Sequence, residues 1–291
     1  MVAVTDSALA TAPPSSGRRL RATAGRVRWG RGLVLLVAAI YFIGPLAAAF
    51  WFSIDEGNGV TWHAYTSFFH TAGFASAAEL SLELAAVTVV LALLLLVPTL
   101  VLIHLRYPKV HSAVELLSLL PLVVPPIVLV VGVSKVVGWG TSANPTSFTG
   151  QLFNQLLNST PPLILPLEYV VLTMPFVFRS LDSGLRASNT ATLVEAARNL
   201  GASWFTVMVR VVMPLLRTSI LNAAFLAFAL VLGEFTMSSL LQYQPFAVWL
   251  LQFGDTDGQL QVALSLISLL LTWVLLMIMT VIAGRDARKA T

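Results

Sequence analysis

Six long apolar runs constrain this chain more than any other feature. A helix climbs about 1.5 Å per residue, so roughly 20 apolar residues cross a hydrocarbon core about 30 Å thick. Runs of that length lie near 32–53, 79–103, 113–137, 163–179, 217–241 and 259–283; the fourth is short and extends into its flanks. Polar connections separate them at 54–78, 104–112, 138–162, 180–216 and 242–258, with a tail from Gly284. Inside lipid a segment must satisfy its own backbone donors and acceptors, which a helix does. The sequence therefore predicts an all-α membrane protein with six transmembrane helices. With 57% hydrophobic and 10% charged residues and a mean hydropathy of +0.85, the chain is too apolar for a water-soluble globule.

The basic residues orient these crossings. Cytoplasmic connections gather Lys and Arg. If the N-terminus is inside, the cytoplasmic pieces hold Arg18, Arg19, Arg21, Arg26, Arg28 and Arg31, then Arg106 and Lys109. They also hold Arg179, Arg186, Arg198, Arg210, Arg217, Arg285, Arg288 and Lys289, so sixteen of the seventeen fall on one side and only Lys135 on the other. The pI near 9.8 is thus a topology signal and not a nucleic-acid patch. Both termini are expected in the cytoplasm. Residues 1–31, Ala/Ser/Thr/Pro-rich and then basic, read as a disordered cytoplasmic tail, and 284–291 as a second tail. A signal peptide ending near Ala47-Ala48-Ala49 competes with the first assignment, but the basic region is unusually long and the run from Gly32 to Ser53 is long enough to span. Arg18-Arg19 is the only trace of a twin-arginine signal.

The polar connection 180–216 carries the most specific pattern. Thr192 with Glu195 three residues on suggests a capping box. Leu193, Ala196, Ala197 and Leu200 recur at helical spacing and predict one apolar face. Gly201 falls where a helix needs a left-handed residue to stop, and Ser203 is placed to cap the next helix. Glu195-Ala196-Ala197, then Gly201 after three residues, then Val211-Val212-Met213-Pro214 after nine more, resemble the EAA loop of permease subunits of bacterial type I ABC importers. Glu195, Ala196, Ala197, Gly201 and Pro214 match in register, while Val211 and Met213 stand for the pattern's Ile and Leu. The resemblance covers about residues 79–283. Within that family, Leu120-Pro121-Leu122-Val123-Val124-Pro125-Pro126 and Thr173-Met174-Pro175-Phe176 are similar to segments of the spermidine/putrescine, iron, sulfate and phosphonate branch.

Several expectations follow from the resemblance. The fold would be the MetI-like permease fold, with residues 32–283 as the six-span domain and a cytoplasmic coupling helix in 180–216. Glu195 and Gly201 would shape that helix, Ala196 and Ala197 would allow close approach, and Arg198 would make polar contacts with an ATPase. The partners would be two ATPase subunits, a second permease subunit (a paralogue, hence a heterodimer) and an external solute-binding protein, in a bacterial inner membrane. The chain itself would carry no cofactor, with ATP and Mg on the ATPases. The polyamine class is the substrate expected first, with sulfate/molybdate, iron, phosphonate and thiamine as alternatives.

Two groups of residues point to a pathway. Pro121, Pro125, Pro126 and Pro175 interrupt apolar runs, and each removes a backbone donor and bends a helix. Such breaks fit either kinked helices around a cavity or static kinks fitted to neighbours. Glu83, Glu168 and Glu234 are carboxylates at membrane depth, where charge is expensive, so each is a candidate pathway residue. Pairing with a neighbour such as Lys135, or snorkelling to water, is the structural alternative. Gly233-Glu234-Phe235 also resembles the fifth span of sulfate- and molybdate-type permeases. Those carry anions, which argues against reading Glu234 simply as a cation ligand.

Catalysis finds little support. There is no cysteine and no Walker-type phosphate loop, and His63, His70, His104 and His111 show no metal spacing. His104 and His111 read as solvated or lipid-facing surface. A six-span membrane enzyme, built on the three glutamates, and a passive channel remain as rival classes. The aromatics Trp51, Phe52, Trp62, Tyr65, Phe68 and Phe69 read as an interfacial belt around the first external loop.

Overall fold

The computed structural model describes residues 19–55, 59–142 and 146–289, and the chain divides into two units, 1–52 and 53–291. The first unit is occupied by helix α1 (Arg19–Ile54), of which Gly32–Ile54 is long and apolar enough to cross a membrane. Its Leu35, Ile40 and Phe42 side chains are exposed, as a helix facing lipid requires. This alters the N-terminal expectation. Residues 1–18 of the tail lie outside the described residues, and from Arg19 onward the chain is already helical.

In the second unit, α2 (His63–Ser67) leads to α3 (Phe74–Arg106). Then come α4 (His111–Val123), α5 (Pro126–Ser142), α6 (Phe148–Asn158) and α7 (Ile164–Ala187). Three short helices follow: α8 (Thr190–Asn199), α9 (Trp204–Val207) and α10 (Met213–Leu215). The chain continues as α11 (Arg217–Leu232), α12 (Thr236–Leu240), α13 (Phe246–Gly254) and α14 (Gly258–Lys289).

Helices α3, α7 and α11 pack on one another and form the centre. Small residues let them approach: Ala85, Thr88, Ala92, Ala223 and Ala227 are all buried. Gly184 on α7 is required by this packing, since a Cβ there would stand 2.0 Å from Ser219 Oγ. Ser180 Oγ donates to the Ser219 carbonyl at 3.0 Å beside it. Buried hydroxyls are satisfied within their own helices, Thr88 by Leu84 O and Thr173 by Tyr169 O. One apolar cluster fills the half nearest the α8–α10 loop, around Leu100, Val177, Phe178 and Leu216. A second surrounds Leu84, Leu165, Tyr169, Val231 and Met237, and a third joins Phe68, Trp249 and Leu264.

Two of the sequence-predicted crossings have a different shape. The segment 113–137 is not one helix: α4, with 13 residues, and α5, with 17, meet at 99°. Pro125 forces Val124 into extended backbone (ψ 121°), and Pro126 then opens α5. Pro121 and Pro175, by contrast, sit inside α4 and α7, which run on through them. The segment 217–241 is helical only to Leu232; Gly233 ends α11, and α12 starts after a break of three residues. At the C-terminal end, α14 continues to Lys289, through most of the expected tail. Among the described residues, α1, α3 and α7 each satisfy the length and hydropathy of a crossing, and the bent pairs Pro108–Val123 with Pro126–Gly140 and Trp204–Leu215 with Arg217–Leu232 satisfy it as pairs.

Candidate functional site

The loop between α7 and α11 is built by local backbone rules. Helix α8 begins at Thr190, two residues before the expected capping box, and Asn189 gives no side-chain cap. Thr190 instead bonds Ser188 through its hydroxyl at 2.7 Å, so Thr192 and Glu195 lie inside the helix. At the other end Gly201 takes φ +84°, its amide donates to Arg198 O at 2.9 Å, and the Ala202 amide donates to Ala197 O at 3.1 Å. These two bonds satisfy carbonyls that a helix end otherwise leaves open, in the pattern of a Schellman motif. Arg198 Nη1 donates to Ala202 O at 2.8 Å and clips the turn from outside. The residue expected to reach for a partner therefore also holds its own loop together. Ser203 Oγ accepts from the Thr206 amide at 3.2 Å and caps α9.

Beyond α9 the backbone widens into a π-helical turn at Met208–Val212. Pro214 has no N–H to continue an α-helical ladder and its ring crowds the carbonyl four residues back, which favours a wider turn just before it. The chain then bends by 79° into α11.

Tertiary packing buries a side of α8 other than the one that carries Leu193 and Leu200. Thr190 and Val194 are buried, Val194 with Val207 and Val212, while Ala197 and Ala202 pack against the same cluster. Leu193 and Leu200 point outward. Leu200 is 88% exposed, Phe205 on α9 is 77% exposed, and Trp204 is also open. Glu195, Ala196 and Arg198 share the exposed side with them. The loop is thus a firmly folded hairpin of helices presenting an apolar ridge rimmed by charge.

The three candidate carboxylates have three environments. Glu234, 8% exposed, accepts from the Met237 amide at 2.8 Å through Oε1, and from the Ser238 amide (3.3 Å) and hydroxyl (3.1 Å) through Oε2. It satisfies the free N–H groups at the start of α12, where a negative charge is favoured. Ser238 Oγ in turn bonds the Tyr169 hydroxyl. Glu168, the neighbour of Tyr169, is 6% exposed, and neither carboxyl oxygen has a hydrogen-bond partner among the described residues. Glu83 is half-buried on α3. Lys135 is exposed and forms an ion pair with none of the three. In the turn between α12 and α13, Tyr243 donates to Leu157 O at 3.0 Å; burial, and then the Glu168 charge, push its phenol above the ordinary range. Among the described residues no three His, Asp or Glu side chains converge as a metal site.

One cluster was not legible in the sequence. His111 Nε2 donates to Asp182 Oδ1 at 2.7 Å, and Arg186 Nε donates to Asp182 Oδ2 at 2.8 Å. The His111 ring also packs against Phe178, with centroids 5.8 Å apart. His111 is therefore a half-buried link between α4 and α7, not solvated or lipid-facing surface.

No family model matches the chain. It is 27% identical over 239 residues to the molybdenum transport system permease protein ModB of Mycobacterium tuberculosis, covering 79% of this chain and 86% of that protein. It is 34% identical over 163 residues to the ModB protein of Azotobacter vinelandii, covering 55% of this chain and 69% of that one. Among solved structures it resembles a chain of a bacterial alginate ABC transporter crystallised with an alginate pentasaccharide-bound periplasmic protein. That match has a TM-score of 0.58 at 16% identity and covers 94% of this chain and 99% of the other, a likeness of fold.

Proposed function

This chain belongs to the permease family of ABC importers that includes the ModB proteins, and we propose that it is the six-span subunit through which molybdate, or an oxyanion of that class, enters a bacterial cell across the inner membrane. It is a transport subunit, not an enzyme. The relatives carry molybdenum in their names, which moves the substrate from the polyamine class expected first to the sulfate/molybdate alternative. The state of Glu234 fits that move. Its carboxylate oxygens are engaged by the start of α12, so they are not open to coordinate a passing cation.

The observation that carries the mechanism is the apolar ridge of Leu193, Leu200 and Phe205 on a loop closed at Gly201. An apolar ridge left in water marks a docking surface, and the arginine distribution supports a cytosolic position for it. There it seats in a groove of an ATPase subunit, one for each permease chain of a pair. ATP binding draws the ATPases together, moves the loops, and turns a cavity between the permeases from inward- to outward-facing. An external binding protein delivers the substrate. The six arginines of the N-terminal segment and the basic C-terminal end stay on the cytoplasmic side.

Mild-detergent purification of the tagged chain from its native host, with mass spectrometry, tests the assembly. Recovery of a Walker-motif ATPase and a second permease-like chain is expected. Uptake of labelled molybdate into cells, competed by sulfate and by spermidine, tests the substrate. Competition by the anion and none by the polyamine is the expected result; spermidine competition alone would return the substrate to the polyamine class.

A further inference from the structure

Asp182 sits on the last turns of α7, eight residues before α8 begins, and is 9% exposed. Its two oxygens are divided between Arg186 on its own helix and His111, the first residue of α4. A carboxylate only accepts, so the 2.7 Å contact places the imidazole hydrogen on Nε2. Glu115 stands 3.8 Å from the other ring nitrogen, beyond hydrogen-bond length. With the ring tilted at 54° against Phe178, His111 is held both by a charge-assisted bond and by packing.

The same end of α7 is fixed on its other side. Gly184 lets Ser219 approach so closely that no side chain fits between, and Ser180 bonds the Ser219 carbonyl. The loop 188–216 is therefore strung between two helices that are themselves clamped together. Displacing it displaces the ends of α7 and α11 as one piece. Among the described residues His111 alone bonds Asp182 from α4, while Val114 of α4 adds apolar packing against the cluster that holds Phe178 and Leu181. Beyond α4 the chain turns through 99° into α5, whose Val130 packs with Tyr169, Val231 and Met237 beside the Glu234 turn.

We propose that the His111–Asp182 bond is the positioning contact that carries movement of the 188–216 loop into the α4–α5 pair, and so to the layer around Glu234. This rests on the reading of that loop as the ATPase dock. His111 and Asp182 touch neither ATPase nor substrate; they make α4 move with α7. Arg186 does not share the role, because its bond to Asp182 lies within a single helix, on the exposed side of the carboxylate.

The test uses the whole transporter in vesicles, with labelled molybdate uptake, ATP hydrolysis and ATPase co-purification read together. His111→Leu removes the donor, His111→Gln keeps an N–H at similar reach, and Arg186→Ala is the control. In His111→Leu the ATPase co-purifies and hydrolysis continues, while uptake per ATP falls at least fivefold; His111→Gln recovers most of it, and Arg186→Ala stays within twofold of the parent. Spin labels at Leu116→Cys on α4 and Thr192→Cys on α8 give a readout independent of substrate. Their separation stays constant on ATP binding in the parent and changes in His111→Leu. If His111→Leu does not accumulate, Asp182→Ala breaks the same contact from the other side. Uptake per ATP within twofold of the parent in His111→Leu overturns the proposal, as does equal loss in His111→Leu and His111→Gln. Loss of the ATPase from His111→Leu alone also overturns it, since the bond would then serve assembly. If no ATPase accompanies even the parent chain, the docking reading has failed and this proposal falls with it.

Discussion

Glu234 and Ser238 are joined twice: one carboxylate oxygen accepts both the amide and the hydroxyl of the same serine, at 3.3 and 3.1 Å. A glutamate used in this way is part of the backbone's own accounting at the start of α12. Substituting it leaves buried N–H groups without an acceptor, at about 1–3 kcal/mol each. We expect Glu234→Ala to lower the melting temperature of the purified complex clearly, and Glu234→Gln to lower it less, because an amide oxygen still accepts. The KM for molybdate should change little in whatever folded protein remains. A large rise in KM at unchanged melting temperature would make Glu234 a substrate ligand instead.

Glu168 predicts the opposite sign. Both of its oxygens are buried without partners among the described residues, so removing the carboxyl relieves a desolvation cost rather than breaking a bond. Glu168→Met, of similar size, is expected to be neutral or to stabilise by about 1 kcal/mol. Thermal unfolding in detergent measures this. Strong destabilisation would mean that the carboxyl has a partner in the assembled transporter.

Gly201 tests the loop's backbone. Nothing lies within 4 Å of a Cβ built there, so any cost of a side chain comes from φ +84° alone. We expect Gly201→Val to disrupt the α8–α9 turn, at a local cost of about 1–2 kcal/mol, and Gly201→Asn to be mild, because asparagine tolerates the left-handed region better. Uptake should follow that order while the membrane helices stay folded. Equal uptake in both variants would show that the turn geometry is not used.

Gly184 fails for a different reason, close approach rather than dihedral angle. A methyl group there meets Ser219 Oγ at 2.0 Å and Ser219 Cβ at 2.6 Å, so α7 and α11 must separate. Gly184→Ala should cost about 1–3 kcal/mol as overpacking, and Ser219→Gly in the same chain should restore much of it. Melting temperatures of the single and double variants decide this, and simple additivity would argue against the contact.

The sequence disclosed part of what local backbone chemistry decides, though not where α8 begins: the Thr192/Glu195 capping box falls inside the helix. Gly201 as a left-handed stop and Ser203 as a cap follow from chemistry within four residues, and both are seen in the structure. Which side of α8 packs inward was not legible, because the burial of Val194 against Val207 and Val212 is a tertiary choice that spacing does not reveal. His111 was placed on the surface because its partner lies 71 residues away. Pro125 and Pro126 marked a bend, but only the packing of α5 against α6 and α12 explains why it is a corner of 99° rather than a kink. The difference between Glu234 and Glu168 was invisible for the same reason: both read as acids at membrane depth, and hydrogen-bond partners alone separate them.

The central claim is that the ridge on α8 and α9 seats in an ATPase subunit, and the absence of cysteine from the sequence makes it directly measurable. A single Leu200→Cys, in native membranes with a short thiol-reactive photo-crosslinker, would be compared with Leu94→Cys on α3, a similarly open position within an apolar crossing. The account predicts a cross-linked product between the Leu200→Cys chain and a Walker-motif ATPase, sensitive to added ATP, and none from Leu94→Cys. No product from Leu200→Cys, or equal products from both positions, would contradict it.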